Sequence, residues 1–122
     1  MGNSGNLRSV GNDGELIALD FIESKGFTVI KHNYRFGRLG EIDIVAQKEN
    51  LIVFIEVKTR FSKRFGGALY SIGSKKKNHI LNTAKKFIAE NDKCLSKETI
   101  FRFDLITVEN GVISWVEDII RR

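Results

Sequence analysis

The chain contains no proline and has only one cysteine, two histidines and one tryptophan among its 122 residues. A single cysteine, Cys94, excludes an intramolecular disulfide and favours a reducing compartment, so we expect a cytoplasmic protein. No cluster of cysteine and histidine has the spacing of a zinc site. No apolar run approaches the roughly 20 residues of a membrane-spanning helix, and the polar start lacks a signal-peptide core. The sequence therefore predicts no membrane partner.

Basic residues are in excess, with 20 Lys and Arg against 15 Asp and Glu, which gives a net charge of +5. Such an excess favours a polyanionic partner such as nucleic acid, although many basic proteins bind none. The composition, 42% hydrophobic and 29% charged, is that of a globular protein of one-domain size. We expect a flexible N-terminal arm over residues 1–12 and a single domain over residues 13–122.

Hydrophobic periodicity predicts two helices and five strands. The first helix is expected from a cap at Asn12 or Asp13 to about Lys25, where Gly26 favours its end. The second helix is expected from Ser74 to about residue 89 or 90. Strands are expected over residues 27–35, 41–47, 51–59, 100–108 and 112–116. The third strand is apolar on both faces, which predicts a central position, and Asn110-Gly111 predicts a tight hairpin.

The candidate site lies on the second and third strands. Because strand side chains alternate, Glu56 and Lys58 share one face of the third strand. On the preceding strand, Glu41, Asp43 and Val45 are likewise expected to share a face. Hairpin pairing would bring Asp43 beside Glu56, and two carboxylates that close repel each other unless a cation lies between them. Oxygen ligands suit Mg²⁺ or Mn²⁺ better than Zn²⁺.

Lys58 would then orient an attacking water or stabilise charge that develops on the phosphorus oxygens. Glu15 lies beside an apolar stripe of the first helix, from which it would reach the same site above the sheet. Each residue also has a structural explanation. Glu56 and Lys58 are typical of an ion-paired solvated face, and the helix dipole favours Glu15 in a first turn.

Several basic residues are candidates for contact with nucleic acid phosphates, either near the start of the second helix or on the approaches to the candidate site. A solvated face is the alternative for the lysines of that helix start. The full set is Arg35, Arg38, Arg60, Lys63, Arg64, Lys75, Lys76 and Lys77. We expect His32 to be a surface residue, Asp104 to have a structural hydrogen-bonding role and Trp115 to lie in the core.

Motifs along nearly the whole chain from residue 12 onward resemble the YraN-like family of bacterial proteins, within the PD-(D/E)XK nuclease superfamily. They include Gly14-Glu15, Gly40-Glu-Ile-Asp43, Phe54-Ile-Glu-Val-Lys-Thr-Arg60, Gly66-Gly67 and Arg102-Phe-Asp104. The resemblance implies an α/β fold with an αβββαβ core, in which helices flank a central mixed sheet, as in restriction endonucleases. It also implies metal binding by Asp43, Glu56 and the Val57 carbonyl, with Lys58 as the catalytic lysine and Glu15 as an auxiliary acid.

The leading hypothesis is therefore a Mg²⁺- or Mn²⁺-dependent endonuclease that hydrolyses DNA, with branched or distorted DNA as a candidate substrate, as for Holliday-junction resolvases. The alternative is a non-catalytic module on a nuclease fold that binds nucleic acid or a partner protein. A third interpretation is a structural protein with an ion-paired sheet edge. A homodimer is a further expectation to test, because junction cutting needs two active sites.

Overall fold

The computed structural model describes residues 10–38, 40–60 and 73–120. Its helices are α1 (Val10–Ser24) and α2 (Ser74–Glu90), followed by a short 3-10 turn at Asp92–Cys94. The strands are β1 (Thr28–Phe36), β2 (Gly40–Lys48), β3 (Leu51–Arg60), β4 (Ile100–Glu109) and β5 (Val112–Val116). Every predicted element is present. α1 begins at Val10, ahead of the predicted cap, and the rest of the expected N-terminal arm lies outside the described residues.

The strands form one mixed sheet in the order β1-β2-β3-β4-β5. Neighbouring strands are antiparallel except for β3 and β4, which are parallel because α2 crosses over between them. β3 lies at the centre, as its apolar faces predict. At the β4–β5 turn, Asn110 and Gly111 have φ values of 53° and 83°, the left-handed conformations of the predicted hairpin. The α/β class and the αβββαβ core are confirmed.

Each helix buries its apolar side against one face of the sheet. α1 places Ala18 and Ile22 in one core cluster, with Ile44, Val53, Ile55 and Ile106. α2 places Ile80, Ala84 and Phe87 in the other cluster, with Val45, Phe54 and Phe103. Full burial of a large apolar side chain stabilises the fold by about 1.5–3 kcal/mol, so the two clusters fix both helices on the sheet. Neither described helix is long and apolar enough to span a membrane.

Two glycines allow the helices to lie close to the strands. A Cβ at Gly14 would lie 2.0 Å from Oγ1 of Thr59, where α1 crosses β3. A Cβ at Gly40 would lie 2.4 Å from Oγ1 of Thr83 and 2.7 Å from the carbonyl oxygen of His79, where β2 meets α2. Side chains at these positions would push the helices away from the sheet, so both glycines contribute to the position of the candidate site.

The alternation of β1 side chains between the two faces of the sheet is interrupted at Asn33. His32 contacts Glu15 of α1, whereas Tyr34 packs edge-on against Phe87 of α2. Residues two apart in a regular strand share a face. Asn33 has a left-handed φ of 57° in the middle of the strand, which interrupts the alternation and sends its neighbours to opposite faces.

β2 shows the same interruption opposite Asn33. Ile42 belongs to the core cluster of α2, and Ile44 belongs to that of α1, although they too are two residues apart. The prediction that Glu41, Asp43 and Val45 share one face by simple alternation is therefore wrong. Asp43 lies at the change of face, between the two clusters.

Asp104 is a fully buried carboxylate whose oxygens accept hydrogen bonds from several elements. Arg102 donates from Nε to Oδ1 at 2.9 Å and from a terminal nitrogen to Oδ2 at 2.8 Å. The Trp115 indole N–H donates to Oδ2 at 2.7 Å, and the Asp118 amide donates to Oδ1 at 2.9 Å. The predicted structural role of Asp104 is confirmed. Trp115 is only partly buried, because its ring lies at the margin of the core.

Candidate functional site

The candidate site lies where β2 and β3 separate. Their antiparallel ladder ends at the pair Ile44 and Ile55, whereas β3 continues beside β4 as far as Arg60. Beyond the ladder, the Val57 amide donates a hydrogen bond to Oδ2 of Asp43 at 2.8 Å. A side chain from β2 thereby replaces a main-chain partner, and it joins Asp43 directly to the segment Glu56-Val57-Lys58.

Asp43 occupies an environment that opposes its ionisation. Burial, reinforced by the negative charges of Glu56, Glu15 and Glu41, raises its pKa from the ordinary 3.8 to about 7. The hydrogen bond from the Val57 amide acts in the opposite direction but does not cancel the effect. No basic side chain among the described residues forms an ion pair with Asp43. A bound cation would therefore lower the electrostatic cost of ionising Asp43.

Glu56 is buried, at 7% exposure, whereas Asp43 is only partly buried, and Glu56 has cationic partners. Nζ of Lys76 in α2 lies 2.8 Å from Oε2 of Glu56, and Nζ of Lys58 lies 3.7 Å from the same oxygen. A buried carboxylate is costly unless it is paired, so these ammonium groups hold its charge in the folded protein. The sequence predicts a phosphate contact for Lys76, and the structure brings its ammonium group into the carboxylate site.

Glu15 of α1 lies near enough to Asp43 for its negative charge to help raise the pKa of that carboxyl. Its Oε1 lies 3.0 Å from Nε2 of His32 on β1. His32 is exposed, as predicted, but its contact with Glu15 was not predicted. That contact depends on two irregularities of β1, the register shift between Val29 and Lys31 and the left-handed conformation of Asn33, which no periodicity in the sequence indicates.

The predicted phosphate-binding residues lie in several different elements of the structure. Arg35 pairs with Glu41 across β1 and β2 at 3.6 Å, and Arg38 is exposed in the turn between these strands. Lys75 is exposed and Lys77 is partly buried, both in the first turn of α2 beside Lys76. Of the remaining predicted residues, Arg60 ends β3, and both Lys63 and Arg64 lie outside the described residues.

The oxygen donors at the site match Mg²⁺ or Mn²⁺ in their chemistry. In a strand, the N–H and C=O of one residue point toward the same neighbour. The Val57 carbonyl therefore points toward the edge that β2 has left, where Asp43 accepts the Val57 amide. Across the described ranges, no three side chains of His, Cys, Asp or Glu form a group that could hold an ion. The donor set would therefore be the carboxylates of Asp43 and Glu56, the Val57 carbonyl and water.

The fold and the site define a class: a small mixed α/β protein with two carboxylates and a lysine where its central strands separate. Residues 14–108 match the model of the Uncharacterised protein family UPF0102, and the chain belongs to this family. The resemblance to YraN-like proteins is confirmed at this level. The matched region contains every candidate residue of the site, from Glu15 to Lys77.

Relatives in the same family are similar over most of their length. A UPF0102 protein of Clostridium botulinum strain Hall is 43% identical over 101 residues, which cover 83% of this chain and 80% of the relative. A UPF0102 protein of Caldicellulosiruptor bescii is 43% identical over 104 residues, which cover 84% of each chain. The family match over residues 14–108 runs from within α1 to near the end of β4.

Proposed function

We propose that this protein is a Mg²⁺- or Mn²⁺-dependent endonuclease of the PD-(D/E)XK superfamily that hydrolyses DNA phosphodiester bonds. Branched or distorted DNA is the proposed substrate class. The observation that carries the proposal is the 2.8 Å hydrogen bond from the Val57 amide to Asp43. It joins the acidic residue of β2 to the Glu56-Val57-Lys58 segment of β3, which is the arrangement that the motif resemblance implies.

Each residue of the site has a chemical role in this proposal. Asp43, Glu56 and the Val57 carbonyl hold the metal ion, which when bound polarises a phosphoryl oxygen and lowers the pKa of water. Lys58 is half-buried, with its Nζ 3.7 Å from Glu56, and it orients the attacking water or stabilises developing negative charge on the phosphate. Glu15 acts as an auxiliary acid that holds water at the edge of the site.

The first turn of α2 provides a place for the phosphates of the substrate. It carries Lys75, Lys76 and Lys77 and contains no acidic residue. The start of an α-helix is a favourable place for an anion, because the helix dipole and the amides of its first turn point toward it. Contacts of this kind recognise the backbone and shape of DNA, and they carry no direct base specificity.

The test is cleavage of supercoiled plasmid and of four-way-junction DNA in the presence of Mn²⁺ or Mg²⁺. We expect the wild type to nick or cut the DNA, and Asp43→Ala and Lys58→Ala to reduce the rate by about 100-fold or more. Asp20→Ala, on the exposed side of α1, is the matched control and should retain the wild-type rate. Equal cleavage by the wild type and both site variants would exclude this active site.

A non-catalytic nucleic-acid-binding module is the second candidate function. The ion pairs of Glu56 with Lys76 and Lys58 favour it, because they neutralise the buried carboxylate without a metal. This candidate predicts salt-sensitive DNA binding that survives Glu56→Gln, with no cleavage under any metal condition. Calorimetric titration with Mn²⁺ separates the two functions, since only the endonuclease requires a metal to bind at Asp43 and Glu56.

A further inference from the structure

A groove of about 480 Å³ lies on the α1 side of the sheet, away from the candidate site. It is bounded by the C-terminal end of α1, the start of β1 and the β5 strand, and we call it the aromatic groove. Three rings line it: Phe21, Phe27 and Trp115. The Trp115 ring centroid lies 6.0 Å from that of Phe21 and 5.4 Å from that of Phe27, with both pairs tilted.

The rings of the aromatic groove are held in place before any ligand binds. The Trp115 indole donates its N–H to the fully buried Asp104 at 2.7 Å, which fixes its orientation. Phe27 and Trp115 also pack against the core cluster beneath α1. A rigid set of rings of this kind is suited to stacking with a planar ligand, because little freedom is lost on binding.

Two lysines give the aromatic groove a positive rim. Nζ of Lys25 lies 5.0 Å from the ring centroid of Phe21, and Nζ of Lys48 lies 5.6 Å from that of Phe27. Lys48 also donates to the main-chain carbonyl of Lys25 at 3.0 Å, and both lysines line the groove. Neither lysine forms an ion pair with a carboxylate of the described residues.

The other charges at the aromatic groove belong to one guanidinium and two carboxylates. Arg102 is bound to Asp104, and its guanidinium lies 3.6 Å from Glu117. Together with Lys25 and Lys48 these groups remain net positive, because three cations stand against two carboxylates. A ligand that matches this surface has both an aromatic plane and an anion beside it.

We propose that the aromatic groove binds an unpaired base and the adjoining phosphate of single-stranded nucleic acid. The rings stack on the base, whose π-face is available in any sequence, and the lysines contact the phosphate. A duplex keeps its bases stacked within the helix, so it does not use the aromatic rings. An acidic peptide without aromatic residues would satisfy the lysines alone.

This binding site is separate from the proposed nuclease site. Leu51 lines the groove, whereas Glu56 lies five residues further along β3, which corresponds to about 17 Å. Binding in the groove requires neither metal nor cleavage, so failure of one proposal leaves the other intact.

Trp115 is the only tryptophan of the chain, so its fluorescence reports directly on the groove. The experiment is a titration of the full chain with a short oligothymidylate, in EDTA and at low salt. We expect saturable quenching, with about tenfold weaker binding for the double variant Lys25→Gln/Lys48→Gln. The double variant Lys93→Gln/Lys97→Gln removes the same charge from two exposed residues elsewhere and should retain affinity within about twofold.

A second variant tests the stacking contribution. Phe21→Leu keeps the site apolar but removes a ring, and we expect several-fold weaker oligothymidylate binding, with folding checked by circular dichroism. The proposal is overturned if folded wild type shows no quenching, or if both lysine double variants lose affinity equally. It is also overturned if duplex DNA or polyglutamate quenches Trp115 as strongly as the single strand.

Discussion

At Asp43, the folded environment and the proposed metal binding favour different protonation states of the carboxyl group. The folded protein favours the protonated carboxyl, because burial and three neighbouring glutamates raise its pKa to about 7. Metal binding requires the carboxylate, so occupation by a divalent ion would have to displace a proton near neutral pH. Stability that is lost at one residue for the sake of a binding site is common in functional sites.

The first prediction concerns the stability of Asp43→Asn. A carboxyl whose pKa rises from 3.8 to about 7 on folding stabilises the protein below about pH 4, and this contribution is lost as the pH rises through 7. Asparagine keeps an acceptor for the Val57 amide and carries no charge. In EDTA at pH 8, we expect Asp43→Asn to be more stable than wild type by on the order of 2 kcal/mol.

Urea unfolding at pH 5 and pH 8 checks this expectation, and the advantage of Asp43→Asn should shrink at the lower pH. Asp20→Asn, an exposed change on α1, is the control and should leave the pH profile unaltered. A variant no more stable than wild type at pH 8 would show that ionised Asp43 carries no cost.

The second prediction concerns Lys76, whose ammonium group competes with a metal ion for Glu56. We expect Lys76→Gln to bind Mn²⁺ about two- to fivefold more tightly in the absence of DNA, the range that a partly exposed ion pair implies. Calorimetric titration measures the affinity. Lys75→Gln makes the same charge change at an exposed neighbour. If both variants bind Mn²⁺ with the same affinity, the change comes from net charge alone, and competition between Lys76 and the metal for Glu56 is refuted.

At the scale of elements, the site depends on how closely α1 lies over β3. This approach is possible because residue 14 is glycine, with Thr59 occupying the space where a Cβ would lie. Glu15 follows immediately, so any shift of α1 at this point moves an acidic group of the site.

The third prediction concerns the stability of Gly14→Ala, in which helix propensity favours the variant and packing against Thr59 opposes it. Alanine in a helix is favoured over glycine by about 1 kcal/mol. The clash at 2.0 Å with Oγ1 of Thr59 should outweigh this gain, and we expect a net loss of on the order of 1–3 kcal/mol. Urea unfolding measures the loss, and adding Thr59→Ala should recover part of it.

Gly73→Ala is the matched control, because no atom of the described ranges lies within 4 Å of a Cβ at that position. It should change stability by less than about 1 kcal/mol. A stabilised Gly14→Ala would mean that α1 can move away from β3 without cost.

The elements were predictable from sequence because local chemistry decides them. Apolar residues on both faces place β3 at the centre, and Asn110-Gly111 matches the left-handed conformations of its turn. The interruption at Asn33 was not predictable, because asparagine adopts a left-handed φ only where the surrounding structure requires it. The wrong face predicted for Asp43 follows from the interruption opposite Asn33. The unpredicted contact of His32 with Glu15 follows from that interruption together with the register shift between Val29 and Lys31.

For the whole molecule, a net charge of +5 favours a polyanionic partner, and the first turn of α2 adds three lysines and no acidic residue to the proposed DNA-binding surface. The fourth prediction is that affinity for a short DNA duplex falls by about tenfold or more between 50 and 200 mM salt. Lys75→Gln should lower the slope of log affinity against log salt by about one, measured by fluorescence anisotropy in EDTA. Lys97→Gln should leave the slope unchanged, and an equal effect of both would place the contacts elsewhere.

The composition of the site was predictable, since Asp43, Glu56 and Lys58 lie on consecutive strands of a hairpin. Its complete three-dimensional arrangement was not. The contact of Lys76 with Glu56 joins residues of different elements, and it depends on how α2 packs over the sheet. No local pattern encodes such a distance, and the lysine run there is equally typical of a solvated helix start.

The parallel pairing of β3 with β4 has a consequence for the order in which the site is assembled. The acidic and basic groups at the site lie between Glu15 and Lys76, whereas β4 begins only at Ile100. On the ribosome, these groups emerge before the strand that pairs with β3 over its whole length. Non-local pairing of this kind forms late. A nascent chain therefore carries the groups of the proposed chemistry before the sheet that positions them is complete, and the arrival of β4 sets the time at which the site can form.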